Sequence, residues 1–144
     1  MIKRISAVFL VVAALAFSIQ NAYSAVSPEA PKLSVTTNKK TFAPGESGYI
    51  TIKFKKGEHV KIPKDPPVVV TINGVSNDGL DDYSDEAGDY INSGIVRLKF
   101  TVPSDAAIGT TIKAIGFVKF GYCSTDDGTC RLAKQNYSVK IKVK

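Results

Sequence analysis

Tryptophan is absent from this chain of 144 residues, and methionine and histidine occur once each, as Met1 and His59. Haem or copper chemistry built on His and Met ligands therefore has too few donors. Hydrolysis by a serine or cysteine nucleophile needs a histidine base beside it, and no motif ties His59 to a serine. Glycine, at 11 residues, is too sparse for a collagen repeat, and no apolar heptad persists for a coiled coil. Cysteine is scarce too, with Cys123 and Cys130 alone. What is abundant is apolar: 44% of the residues are hydrophobic and they spread along the whole length. That argues for one folded domain; disorder and a second independent core are both excluded.

The longest apolar run, Ala7 to Phe17, follows Lys3 and Arg4 and precedes Ala22-Tyr23-Ser24. It falls short of the roughly 20 residues that a bilayer span requires. A basic start, a short apolar segment and small residues at −3 and −1 describe a secretory signal peptide. Residues 1–24 are expected to be removed after Ser24, leaving a flexible lead-in over 25–32 and a domain over 33–144. The product would be periplasmic, with no stable membrane insertion. Losing Lys3 and Arg4 takes the formal net charge from +6 to +4. The excess sits partly in Lys53, Lys55 and Lys56 and in Lys140, Lys142 and Lys144. Both clusters alternate with apolar residues, as solvent-facing strand positions do. No nucleic-acid partner is expected, because aromatics are not interleaved with these cations on one face.

Period-two alternation recurs along the exported part. It predicts strands over Leu33–Thr37, Tyr49–Phe54, Val60–Ile62, Val68–Ile72, Ile95–Val102, Thr110–Tyr122 and Tyr137–Val143. Pro63, Pro66 and Pro67 break the chain before Val68, and Pro103 to Gly109 forms a turn. Asn73 to Gly94 shows no pattern and reads as a long loop. About seven short strands with turn signals between them predict an all-β fold, an immunoglobulin-like antiparallel β-sandwich. In the last strand Tyr137, Val139, Ile141 and Val143 would face the core, with Ser138, Lys140 and Lys142 toward water. The acidic residues Asp78, Asp81, Asp82, Asp85 and Glu86 offer oxygen ligands, but their spacing lacks the EF-hand pattern. His59 has no companion ligand, so neither a metal nor another cofactor is implied.

Cys123 and Cys130 bracket Ser124 to Thr129, a turn with Asp-Asp-Gly at its centre. Folding the chain back there brings the cysteines together, and an exported compartment favours their oxidation. The bridge would close a loop of about eight residues, for which chain entropy gives about 2.5 kcal/mol. An immunoglobulin-type staple would instead join two sheets across the core beside a Trp. Two readings of the pair stay open: a structural bridge in a non-catalytic binding or assembly module, or a bridge exposed to exchange. Arg131 and Lys134 would favour a thiolate at Cys130, whereas Asp126 and Asp127 would oppose it. Tyr122 is placed to pack over the bridge or in the core.

Gly57-Glu-His-Val60, Pro66-Pro67-Val68, and Gly121-Tyr-Cys123 through Cys130 to Tyr137-Ser-Val-Lys-Ile141 resemble the N-terminal periplasmic domain of the thiol:disulfide interchange protein DsbD. The resemblance covers most of residues 33–144. It implies an immunoglobulin-like sandwich with a redox-active cysteine pair on a hairpin. Such a domain takes electrons from a thioredoxin-like domain and passes them to oxidised periplasmic proteins. By the same resemblance, Cys130 is the attacking cysteine and Cys123 completes the bridge. This chain departs from the family pattern in having six residues between the cysteines and no proline following Cys130. Asp85-Glu86-Ala87-Gly88 stands where the family's shielding cap loop would lie. Ala87 replaces the shielding aromatic, which leaves Tyr83 or Tyr90 to cover the site. The family's membrane carrier and thioredoxin-like domain are not expected here, so the reductant would be a separate, thioredoxin-like protein. Oligomeric state is not legible from these features.

Overall fold

Alternating apolar side chains put one face of each strand on the core, and here two such faces close on each other. The computed structural model describes residues 29–144; the expected leader lies outside them. Its strands are β1 Lys32–Thr37, β2 Thr41–Phe42, β3 Ser47–Lys55, β4 Val60–Lys61, β5 Val69–Val70, β6 Ser76–Leu80, β7 Ile95–Thr101, β8 Thr111–Ser124 and β9 Cys130–Val143. One sheet has the order β1-β3-β7-β6. The other runs β2-β9-β8-β4, with β5 also paired to β8. The fold is an all-β, immunoglobulin-like sandwich. Among the described residues no helix is long and apolar enough to cross a membrane.

Ile50, Ile52 and Phe54 of β3 and Val96, Leu98 and Phe100 of β7 are buried against Ala114, Val118 and Phe120 of β8 and Ile141 and Val143 of β9. Edge-to-face aromatic pairs add to this packing, Phe54 with Phe120 at 4.8 Å and Phe42 with Phe100 at 5.2 Å between ring centres. The four-way alternation expected for Tyr137, Val139, Ile141 and Val143 holds: these point inward, and Ser138, Lys140 and Lys142 are exposed.

Three elements differ from the sequence expectation, the shortest being β2, which no expected strand covers. The last strand begins seven residues earlier, at Cys130, because it pairs residue by residue with β8 from Thr111↔Lys142 to Cys123↔Cys130. Its first half does not alternate in hydropathy, since Leu132 is 76% exposed. The presumed loop over 73–94 contains β6, an edge strand on β7 whose register shifts between Asn77 and Leu80. An edge strand reading Ser-Asn-Asp-Gly-Leu has almost no apolar face to announce it. Within the lead-in, Ala30 packs on the core and the Pro31 carbonyl accepts a hydrogen bond from Gln135 Nε2 at 2.8 Å.

The connection after β5 is locked to β8 at Gly116. A Cβ on Gly116 would collide with the Thr71 carbonyl, and Tyr137 Oη donates to that carbonyl at 2.7 Å. Burial pushes the Tyr137 hydroxyl from its ordinary 10.0 up to about 12. The folded state thus holds this proton more tightly than the unfolded chain does. The associated stability is complete below about pH 10 and is lost as pH rises from 10 toward 12. Gly116→Ala should cost about 2 kcal/mol or more in urea unfolding. Tyr137→Phe should cost about 1 kcal/mol at neutral pH and reduce the alkaline loss of stability.

Candidate functional site: the hairpin disulfide

The β8–β9 ladder sets Cys123 directly opposite Cys130, and the two are bonded, with an S–S distance of 2.06 Å and Cα atoms 4.0 Å apart. The connecting turn is built by its own polar groups. Ser124 N–H donates to the Thr129 carbonyl at 2.8 Å, and Gly128 N–H to the Ser124 carbonyl at 3.1 Å. Asp127 Oδ1 accepts from the Thr129 amide and hydroxyl. Those two bonds, the amide first, hold the Asp127 carboxyl below the usual carboxylate range. Gly128 takes φ +70°, a left-handed conformation that glycine adopts without a Cβ clash.

The two sulfur-bearing residues are unlike in exposure. Cys123 is 5% exposed, because β4 lies beside it with Lys61↔Cys123 and Val60↔Ser124 paired. Cys130 is exposed at the start of β9. A shallow groove of about 340 Å³ runs beside Cys130, walled by Pro63, Pro66 and Leu132 with Asp65 and Arg131 at its margin. Gly121 makes room for that wall: a Cβ there would stand 3.1 Å from Pro63 and 3.6 Å from Pro66. Sequence reasoning treats these prolines only as breakers and misses them as walls. The available signal is a glycine inside a strand, which marks close approach of another segment.

The remaining expected residues are distributed as follows. Arg131 lines the groove. Lys134 lies four residues up β9, its Nζ over the Phe117 ring at 4.2 Å, with Lys119 over the same ring at 5.5 Å. Asp126 belongs to the turn, where its carboxylate stands 3.0 Å from His59 Nδ1 and Thr125 N–H donates to the His59 carbonyl. His59 therefore braces the turn. Tyr122 faces inward, 7% exposed and against Phe120, so it takes the core position.

The 81–94 segment does not roof the groove. Ile91 N–H donates to the Ile62 carbonyl and Lys64 N–H to the Asp89 carbonyl. The segment thus flanks β4 on the side away from β8. Tyr90 bridges to Pro63 and lies under Lys61 Nζ at 5.0 Å. Tyr83 Oη accepts from the Val68 amide at 3.0 Å. Three acidic side chains of this region are engaged locally. The Ser93 hydroxyl and amide lower Glu86, Thr101 and Ser76 lower Asp78, and Ser84 lowers Asp82. Among the described residues no group of three or more His, Cys, Asp or Glu could hold a metal.

No family model matches this chain, and no curated protein matches it. Among solved structures it is similar to the sixth cohesin of scaffoldin B from Acetivibrio cellulolyticus, solved in complex with a mutant Cel5 dockerin. The identity is 15% and the TM-score 0.39, over 78% of this chain and 99% of that one.

A nucleophile can reach only the sulfur that solvent reaches. After reduction, iodoacetamide should alkylate Cys130 about tenfold faster than Cys123 or more, as read by peptide mass mapping at short times.

Proposed function

We propose that this protein is a periplasmic thiol–disulfide exchange module working through Cys123 and Cys130. The observation that carries the reading is a disulfide at a hairpin end with one sulfur-bearing residue buried and the other exposed beside a shallow groove. The sandwich core and the long β8–β9 ladder hold the hairpin without it. The resemblance to the DsbD N-terminal domain supplies the partner class: a thioredoxin-like reductant on one side and oxidised periplasmic proteins on the other.

A thiolate of the reductant attacks Sγ of Cys130; the S–S bond breaks and Cys123 leaves as a thiolate that takes up a proton. The reductant's second thiolate then attacks its own sulfur in the mixed disulfide and releases Cys130. The reductant ends as a disulfide and this chain as a dithiol, two electrons having moved. In the second half, the Cys130 thiolate attacks a disulfide of an oxidised protein, whose leaving thiolate is protonated. Cys123 then resolves the mixed disulfide, the substrate is released as a dithiol, and the bridge is restored. Resolution falls to Cys123, a role supported by the ladder register that sets it opposite Cys130.

One feature favours a second reading, a non-catalytic binding or assembly module with a structural bridge. Apolar side chains are exposed outside the cysteine pair, Val69 at 46%, Ile115 at 49% and Leu132 at 76%. The two readings separate by redox potential. In glutathione buffers the exchange module should titrate above about −300 mV, and a structural bridge below it. Cys123→Ser, which leaves Cys130 unable to be resolved, should trap thioredoxin-like proteins as mixed disulfides in periplasmic extract. A low potential with no such protein trapped would return the bridge to a structural role.

A further inference from the structure

Strand β9 leaves one edge open beside Cys130. Ser124 N–H faces the Thr129 carbonyl, whereas the Ile115 and Phe117 carbonyls accept from Asn73 and Thr71 on the other side of β8. Even-numbered residues of β8 therefore bond toward β9 and odd-numbered ones toward β4 and β5. Opposite those odd positions stand Cys130, Leu132, Lys134, Asn136, Ser138 and Lys140. In an antiparallel pair such residues turn both N–H and C=O away from the partner strand. Among the described residues, β2 takes up this edge only at Lys142 and Val143; β1 packs near β9 and the Gln135 side chain holds the Pro31 carbonyl, but no strand pairs with this edge from Cys130 to Lys140. The strand carries Arg131, Lys134, Lys140 and Lys142 and no carboxylate.

We propose that an extended acidic segment of a partner protein adds to this edge as an antiparallel strand and delivers its own cysteine to Cys130. The proposal rests on the exchange reading and names the docking segment of the partner that reduces the bridge. Residues facing each other across a hydrogen-bonded antiparallel pair have Cα atoms about 5.5 Å apart, inside the range of about 4.4–6.8 Å that a disulfide spans. Cys130, Lys134 and Lys140 lie on one face of β9, so the added strand's residues opposite them share a face too. The expected segment has a cysteine opposite Cys130, an acidic residue four positions toward its N-terminus and another six positions further. A second copy of β9 would bring cations against cations, which the edge lysines disfavour. In the step itself, the segment's thiolate bonds to Cys130 Sγ, the Cys123–Cys130 bond breaks, and Cys123 leaves as a thiolate and is protonated.

The test uses the oxidised protein and a synthetic twelve-residue peptide of Val and Thr with a cysteine and two glutamates at those spacings. It should form the mixed disulfide about tenfold faster than a peptide with lysines for the glutamates. N-methylation of the amides facing β9 should abolish that advantage. A serine-for-cysteine peptide should shift the amide resonances of residues 130–140. Ser138→Pro removes an outward N–H and leaves the β8 ladder intact; it should lose the acidic preference while reacting with glutathione as before. Equal rates for the two charged peptides, resonance shifts elsewhere, or dimerisation through β9 would overturn the proposal. Failure to react with glutathione itself would instead overturn the exchange reading, and the serine peptide would still report whether the edge accepts a strand.

Discussion

The antiparallel pairing of β8 with β9 is the constraint on which the rest of the molecule depends. Its register places Tyr137, Ile141 and Val143 on the core and, at the far end, Cys123 opposite Cys130. A slip of one residue would turn the buried side chains to solvent and separate the cysteines in the same motion. Two glycines of β8 tie further segments to this ladder. Gly116 admits the Thr71 carbonyl, and Gly121 admits Pro63 and Pro66. The segment from β4 to β5 thereby becomes the edge of the second sheet and the wall of the groove at Cys130.

Placement governs the chemistry of the bridge more than its energy does. A cross-link closing so short a loop restrains the unfolded chain only modestly, and a hairpin paired along its whole length stands without it. On the proposed exchange reading, unequal access would direct a visiting thiolate to Cys130 and leave Cys123, paired beside β4, as the leaving and resolving group. Several charges nearby have local partners. Asp127 is held by Thr129, Asp126 faces His59, and Lys134 lies over Phe117. The surroundings of Cys130 are therefore a proline-lined groove on one side and an open strand edge on the other.

Several of these features were legible before the structure. Apolar residues at every second position in Tyr49–Phe54, Ile95–Val102 and Tyr137–Val143 reveal buried strand faces, because each strand there has one face on the core. The hairpin turn is legible from Asp-Asp-Gly between two cysteines. Legibility fails where a strand buries little. The early half of β9 carries exposed Leu132 and Lys134, and β6 is an edge strand with a bulge. The tyrosines expected to shield the cysteines lie elsewhere, because the 81–94 segment hydrogen-bonds to Ile62 and Lys64, just past β4.

Local chemistry in the chain alone thus determined the sandwich class, the turn and the nearness of the two sulfurs, since all three follow from side-chain period and short-range spacing. Which cysteine is accessible, which prolines flank it, and which edge of β9 stays open depended on contacts between segments roughly 60 to 100 residues apart. Such contacts leave no periodic trace in a single sequence. They arise only when two sheets close on one core and decide which backbone groups keep a partner and which face water.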